Sequence, residues 1–415
     1  MRNSKAAFAA LSSHPAIAGV GITLFAVGVL ALLTPRITFN DGLGNDGSAY
    51  ASLTAALQGK GAEPQWAGFA YRLLPSALVA LMPLDVVTGF ILVNVLSILG
   101  SAILLLRILD RYHVDPRAAM LALVWWITLP MGVRWDIYYP VLGDAFAFFV
   151  LVALILCALE RRLALFGLAL VAGTLARENL LITIPFLWRA HVRGAPLRWG
   201  LMVALASVPA VAALLLIRAF PPVPPAPGSG ALSQATIVAS QVVWIIQNRA
   251  GEMWRVLLAA PLSLGLLLVI PLVRFRDTLR FLSGEMHWLY FVVLAVIFAV
   301  IGGRDTDRYL YVLAPLLLIL TFAVHADLWS SWPRAAALTM LQLAALRVGW
   351  PIGTTEYDYF QYTTGFMELD RLFALALLMA FVSAAAIFLV RSRKGADETA
   401  LDVGAVPLHV HTNAR

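Results

Sequence analysis

Cysteine is nearly missing from this 415-residue chain: Cys157 is the only one, and it lies inside an apolar run. An intrachain disulfide and a cysteine metal centre are thereby excluded. Charge is also scarce. Asp, Glu, Lys and Arg make up 13% of the residues, about half the share in an ordinary soluble domain. The chain has no Asn-x-Ser/Thr sequon and no evident internal repeat. The formal charge of +7 comes without a basic face or an RNA-binding motif. Its cations sit in short clusters between apolar runs, which argues against nucleic acid and for topology signals facing anionic lipid.

What is abundant is apolar surface. Hydrophobic residues reach 61% and mean hydropathy is +0.84. A soluble core of this size cannot hide so much, whereas lipid can serve as its solvent. The length alone would suggest two or three soluble domains. That reading fails because apolar runs recur from one end to the other.

A spanning helix needs about 20 apolar residues. Candidate crossings are 16–34, 86–106, 118–133, 140–159, 199–219, 253–273, 286–302, 309–329, 334–350 and 371–391. Clusters expected in the cytoplasm by the positive-inside rule are Arg107, Arg111 and Arg117; Arg161 and Arg162; Arg189, Arg193 and Arg198; Arg274, Arg276 and Arg280; Arg334; and Arg391, Arg393 and Lys394. The first run follows Arg2 and Lys5. It is long for a signal core and lacks a clear cleavage site, so a retained helix is expected over a cleaved signal peptide.

Residues 163–188 are long enough to cross once, but a single crossing would place Arg189, Arg193 and Arg198 outside. A re-entrant pair of half-helices, broken at Arg177-Glu178-Asn179, keeps every cluster inside. Irregular backbone at membrane depth is tolerated where it is buried or lines a wet cavity, so a cavity is expected at the break. The alternative is an ordinary crossing with a compensating error elsewhere.

The expected fold is an all-α integral membrane protein of about ten transmembrane helices plus the re-entrant pair, with both termini cytoplasmic. The polytopic domain covers 1–394, and 395–415 is a polar tail expected to be disordered, where His409 and His411 are incidental. Outer loops are expected at 35–85, 134–139, 220–252, 303–308 and 351–370; the first carries short helices, with 69–84 read as interfacial, and the third is proline-rich. Trp125, Trp126, Trp135, Trp188, Trp199, Trp254, Trp288, Trp329, Trp332 and Trp350 fall mostly near predicted helix ends and are read as an aromatic belt.

The polar chemistry gathers on the outer side. Asp41 and Asp46 stand just beyond the first helix, as candidates for a general base or as part of a solvated turn. Gly42, Gly44 and Gly47 match the dinucleotide fingerprint, but they follow a membrane helix and no strand, so the match is chance. An EF-hand fails because Ser52 stands where the closing Glu belongs. Asp136 and Asp144 lead into the fourth crossing; the deeper Asp144 is a functional candidate or an interfacial N-cap. Arg177 and Glu178 point to different faces, so Arg177 needs another partner, either a lipid phosphate or a residue on another helix. Arg304 and Arg308, four apart, can share a face and hold a phosphate, or be neutralised by Asp305 and Asp307 within the loop. Arg72 adds a further outer cation.

Four short elements, in order, resemble those of the GT-C superfamily of membrane glycosyltransferases, in particular bacterial proteins that form cell-surface glycopolymers. Asn45-Asp46-Gly47-x-x-Tyr50 resembles their Asp-Gly-x-x-Tyr motif. Tyr71-Arg72-Leu73-Leu74-Pro75 resembles the Tyr-Arg-x-x-Pro-type element that follows it. Ala176-Arg177-Glu178 resembles the Thr/Ala-Arg-Glu element, and Arg308-Tyr309 with Pro315 resembles a later Arg-Tyr-x-x-Pro-like segment.

The resemblance implies a bacterial inner-membrane enzyme. It would take sugar from a polyprenyl-phosphate donor to a glycan or lipid acceptor at the periplasmic face. It implies Asp46 as the base, and Asp144 or Asp136 as a second acid. The donor phosphate would lie near Arg177 and among Arg72, Arg304 and Arg308, with Asp41, Tyr50, Glu178 and Tyr309 as further substrate contacts. No cofactor is required by a leaving group with a single phosphate, though the sequence leaves a divalent metal open. Rival readings are a lipid-linked sugar flippase or other transporter, a non-catalytic envelope-assembly scaffold, and a ligase or polymerase of surface glycans.

Overall fold

The computed structural model describes residues 15–61, 71–184, 196–224, 253–301, 306–348 and 352–391, together with Phe69, Phe186, Val243 and Gln247. Arg189, Arg193, Arg304, Asp305, most of the proline-rich stretch and the 395–415 tail lie outside the described residues. Every described element is helical.

The first helix, α1 (Pro15–Leu33), contains no charged residue and stops two residues before Pro35, whose ring disfavours helix in the residue before it. Two short helices follow, α2 (Gly47–Leu57) and α3 (Leu73–Ala80). Helix α4 (Val86–Arg111) is started by Asp85, which accepts the Thr88 N–H at 3.0 Å. Helix α5 (Pro116–Ile127) has Asp115 accepting the Arg117 N–H at 2.9 Å and Pro116 at its first position. Next come α6 (Val133–Tyr138), α7 (Asp144–Leu159), α8 (Leu163–Ala176) and α9 (Pro196–Ala219). The second half holds α10 (Met253–Leu264), α11 (Leu266–Val273), α12 (Phe275–Gly284), α13 (Met286–Ile301), α14 (Thr306–Val324), α15 (Trp332–Ala345), α16 (Glu356–Tyr362) and α17 (Leu369–Arg391).

Five of these helices, α1, α4, α9, α14 and α17, are long and apolar enough to cross a bilayer. The number rises to seven if each bent pair is one span: α10 with α11, bent by 103°, and α12 with α13, bent by 109°. Several of the ten expected crossings are shorter than anticipated. The 118–133 segment stops as helix at Ile127, ahead of Pro130; α7 has 16 residues and α15 has 14. At 1.5 Å per residue such helices fall short of a hydrocarbon core of about 30 Å.

The bend at Gly265 has a definite cause. Its φ is 58°, a left-handed conformation open to glycine, and a β-carbon there would strike Gln342 Oε1. Gln342 reaches in from α15 and repairs the interruption. Its Oε1 accepts the Leu266 N–H at 2.6 Å and its Nε2 donates to the Leu264 carbonyl at 3.3 Å. Both buried backbone groups freed by the break are thus satisfied.

Helix α4 packs against α1, α3, α5 and α7, while α8 packs on α7 and α9. Helices α10, α11, α13, α14, α15 and α17 form the other side. Tryptophans join the halves: Trp126 Nε1 donates to Tyr311 at 2.7 Å and Trp125 Nε1 to Thr339 at 3.0 Å. This corrects the aromatic-belt reading for Trp125, Trp126, Trp135 and Trp288, which are fully buried. Trp254 and Trp332 are exposed as a belt requires, and the Trp188, Trp199 and Trp350 side chains lie outside the described residues. The outward faces of α1, α9 and α17 carry large apolar side chains, among them Phe25, Leu32, Leu197, Leu215, Phe381 and Phe388. Lipid tails solvate such faces and water does not.

Candidate functional site

The polar elements meet where α2, α6, α7, α8 and α14 converge. Asp46 stands immediately before α2 and its carboxylate makes no capping bond to that helix. The loop carrying it is pinned by Tyr139, whose hydroxyl accepts the Gly47 N–H at 2.6 Å and donates to the Leu43 carbonyl at 2.8 Å. Gly44, with φ 59°, would drive a β-carbon into the Tyr139 ring. The glycines that mimic a dinucleotide fingerprint therefore serve a tight turn and a close approach to a tyrosine.

Asp144 opens α7 and is presented by Gly143, where a β-carbon would lie 2.9 Å from Pro75 of α3. Its two oxygens are both engaged. Arg177 Nη1 meets Oδ1 at 2.5 Å, while Arg308 meets Oδ2 through Nη2 at 2.7 Å and Nε at 3.0 Å. Arg308 extends the ladder to Asp46, 3.7 Å from its Nη1. Trp135 lies beneath the Arg308 guanidinium, 5.9 Å from charge to ring centroid.

Arg177 is available for this because α8 ends at Ala176. Arg177 itself is extended, with φ −162° and ψ 115°, and a short 3-10 turn runs from Glu178 to Thr183. The extended residue sends its side chain to Asp144 while Glu178 turns toward Arg72, 3.7 Å away. Arg72 donates to the Tyr50 hydroxyl at 3.3 Å and lies over Phe69 at 5.3 Å. Tyr50 is fixed edge-on against Phe69 and Phe90 at 5.7 and 6.0 Å. Tyr309 lies within electrostatic reach of Arg72.

The ladder borders a cavity with about 360 Å³ of open space. Asp144, Ala147, Phe148 and Leu151 line it from α7. They fall at i, i+3, i+4 and i+7, one face of a helix over about 10 Å. The cavity is therefore charged at the start of α7, where Arg177 and Arg308 also line it, and apolar farther along. Asp46 is one guanidinium removed from it. The exposure of the aspartates differs: the Asp46 side chain is 28% exposed and that of Asp144 12%.

Asp136 lies beneath, almost fully buried, with an Oδ1 that has no hydrogen-bond partner. Burial first, and the neighbouring Asp144 carboxylate second, hold its pKa well above the usual carboxylate range.

Three expectations need revision or bounds. Asp307 does not neutralise Arg308 within the loop. It is buried and accepts bonds from Ser263 Oγ at 2.6 Å and from the Thr364 N–H and hydroxyl at 2.7 and 2.8 Å. It is thus a structural tie between α10, α14 and the segment after α16. Asp41 sits exposed on a left-handed turn with φ 53°, and among the described residues no ion pair joins it to the ladder. Arg304 lies outside the described residues.

Trp135 and Tyr139, which support Arg308 and the Asp46 loop, were read as belt and loop residues from sequence. The density of aromatic residues beside Asp136 in a six-residue loop is the signal that marks them.

Comparison with family models, with curated proteins and with solved structures found no match to this chain.

Proposed function

We propose that the chain is an integral-membrane glycosyltransferase that moves a sugar from a polyprenyl-phosphate donor to a cell-envelope glycan or lipid acceptor. The observation that carries this reading is the Asp46–Arg308–Asp144–Arg177 ladder at the charged end of a cavity that continues along an apolar helix face. A charged head on a long apolar tail is the ligand class that suits such a hollow.

In this reading the donor phosphate meets Arg177 and Arg308, aided by Arg72. Asp144 is a positioning residue, since both its oxygens are held by guanidiniums. Asp46, whose contact with Arg308 is longer at 3.7 Å and whose side chain is more exposed, is the base. It takes the proton of an acceptor hydroxyl as that oxygen bonds to the anomeric carbon. The bond from that carbon to the phosphate oxygen breaks, and the electron pair leaves with the polyprenyl phosphate. Preorganised guanidiniums stabilise the charge growing on that oxygen. The half-buried Asn179 lines the cavity with a buried, unpartnered Oδ1 and suits a sugar hydroxyl.

The same proposal includes ten crossings, cytoplasmic termini in a bacterial inner membrane, and a re-entrant 163–188 segment. The end of helix at Ala176 supports the last of these. Cysteines introduced as Arg162→Cys or Arg198→Cys in a Cys157→Ala chain then react with an impermeant maleimide from the same side. Labelling from opposite sides means a single crossing.

The deciding experiment is transfer from synthetic polyprenyl-phosphate sugars in membranes carrying Asp46→Asn. Transfer is expected to fall by at least about a hundredfold with folded protein retained. Undiminished transfer removes Asp46 from the role, and transport of the intact lipid-linked sugar without transfer points to a flippase.

A further inference from the structure

A second hollow shares no lining residue with the first. Trp135, which lies beneath Arg308, stacks on Tyr362 at 5.2 Å, and Tyr138 stacks on Tyr362 at 5.8 Å. The hollow has about 430 Å³ of open space and is lined by Arg134, Arg347, Arg371, Asp358, Gln361 and Tyr362, among others.

Its charge is unbalanced. Three guanidiniums face one carboxylate, and that carboxylate is already engaged: Asp358 Oδ2 accepts the Thr355 hydroxyl at 2.6 Å and the Thr355 N–H at 3.2 Å, closing a capping box on α16. Arg134 is 2% exposed and held in place, donating to the Arg347 carbonyl at 2.7 Å. Tyr362 and Asp307 favour the charge of Arg347, while Arg134 and Arg371, both within electrostatic reach, oppose it. Gathering like charges in a recess costs energy unless an anion offsets it.

Arg347 is informative in a second way. It follows α15 in the left-handed conformation, with φ 56°. The Val348 N–H bonds to the Leu343 carbonyl at 3.2 Å and the Arg347 N–H to the Ala344 carbonyl at 3.1 Å. This is a Schellman ending, in which glycine is the favoured residue at that position. His113 and Arg161 adopt the same conformation after α4 and α7, so strain alone does not single out Arg347. What distinguishes it is that its side chain lines the hollow beside two further arginines.

We infer that this hollow is a second oxyanion site, built to take a phosphate group and separate from the Asp144 ladder. The site stands whether or not sugar transfer is the activity of the chain. Phosphate matches the forked donors of several arginines, with Gln361 and Tyr362 available to neighbouring hydroxyls. The phosphate can belong to a lipid head group or to a soluble phosphate ester.

The test is arginine footprinting with phenylglyoxal on the full-length chain in neutral-lipid nanodiscs, read peptide by peptide by mass spectrometry. The probes are glycerol 3-phosphate in solution and trace phosphatidic acid in the bilayer. At least one probe is expected to slow modification of Arg371 several-fold. Loss of one guanidinium is expected to weaken that protection about tenfold or more. Protection by the lipid alone assigns the source to the bilayer, and protection by the soluble ester assigns it to solution.

Arg347→Gly separates ligand binding from structure. It suits the helix ending and is expected to keep or raise the melting temperature while abolishing protection of Arg371. Arg308→Gln leaves that protection unchanged. Failure of both probes to protect Arg371, or full protection in Arg347→Gly, overturns the site. Neither result depends on the Asp46→Asn assay.

Discussion

Two of the breaks in apolar helical stretches, at Gly265 and at Arg177, are resolved in opposite ways. At Gly265 the turn is closed within the fold: Gln342 from α15 bonds to backbone on both sides. At Arg177 the helix ends, and two charged side chains depart in different directions, one to Asp144 and one to Arg72. A cavity lies beside this second break. Hydropathy sees much the same thing in both stretches. A break in an apolar run is therefore no sign of a site; what matters is whether the polar groups it frees are satisfied within the fold or turned toward a hollow.

This contrast is open to attack by mutation. The largest effect is expected at Asp144. Asp144→Ala leaves Arg177 and Arg308 in a recess without their shared carboxylate, a loss of about 3–5 kcal/mol by analogy with other broken buried pairs. Thermal denaturation in detergent is expected to show a large fall, with donor binding lost as well. A small fall means that the two guanidiniums find other partners.

Gln342→Leu is the matching change at the other break. It leaves the Leu266 N–H and Leu264 carbonyl buried and unpaired, at about 1–3 kcal/mol for each group. Stability falls, while polyprenyl-phosphate binding by native mass spectrometry stays at the wild-type level. Loss of binding there would erase the distinction between the two breaks.

The smallest effect concerns pH. The folded-state pKa of Asp136 is raised above its unfolded value, so the folded chain binds the extra proton. Stability then falls as pH rises from about 4, the unfolded value, through the folded pKa, and is level above it. Asp136→Asn removes this contribution. The wild type is expected to lose stability relative to Asp136→Asn across that window, measured by melting temperature in a pH series. A constant difference shows that Asp136 is already ionised in the fold.

Several features of the site were legible in sequence because they depend on residue type and order. Asp46, Tyr50, Arg72, Arg177, Glu178 and Arg308 were singled out as short polar elements in an apolar chain, and the fold connects them through ion pairs and one hydrogen bond. The break at Arg177 was legible because an unbroken crossing would have placed Arg189, Arg193 and Arg198 on the outer side. Other features depend on packing, which periodicity does not carry. Hydropathy cannot tell a lipid-facing apolar helix from one buried among its neighbours, so Trp125 and Trp126 were read as belt residues and 118–133 as a full crossing. Gly265 was lost inside an apolar average, since its effect rests on Gln342, 77 positions away. Asp307 looked like a local counter-ion because its partners, Ser263 and Thr364, are distant in sequence.

Helix α6 is six residues long, and three of them in succession look in different directions. Arg134 lines one hollow, Trp135 lies under Arg308, and Asp136 sits against Asp144. The segment is a hinge pin common to two rooms. A substitution there that improves one must be tolerated by the other, so these positions are free to change only in concert.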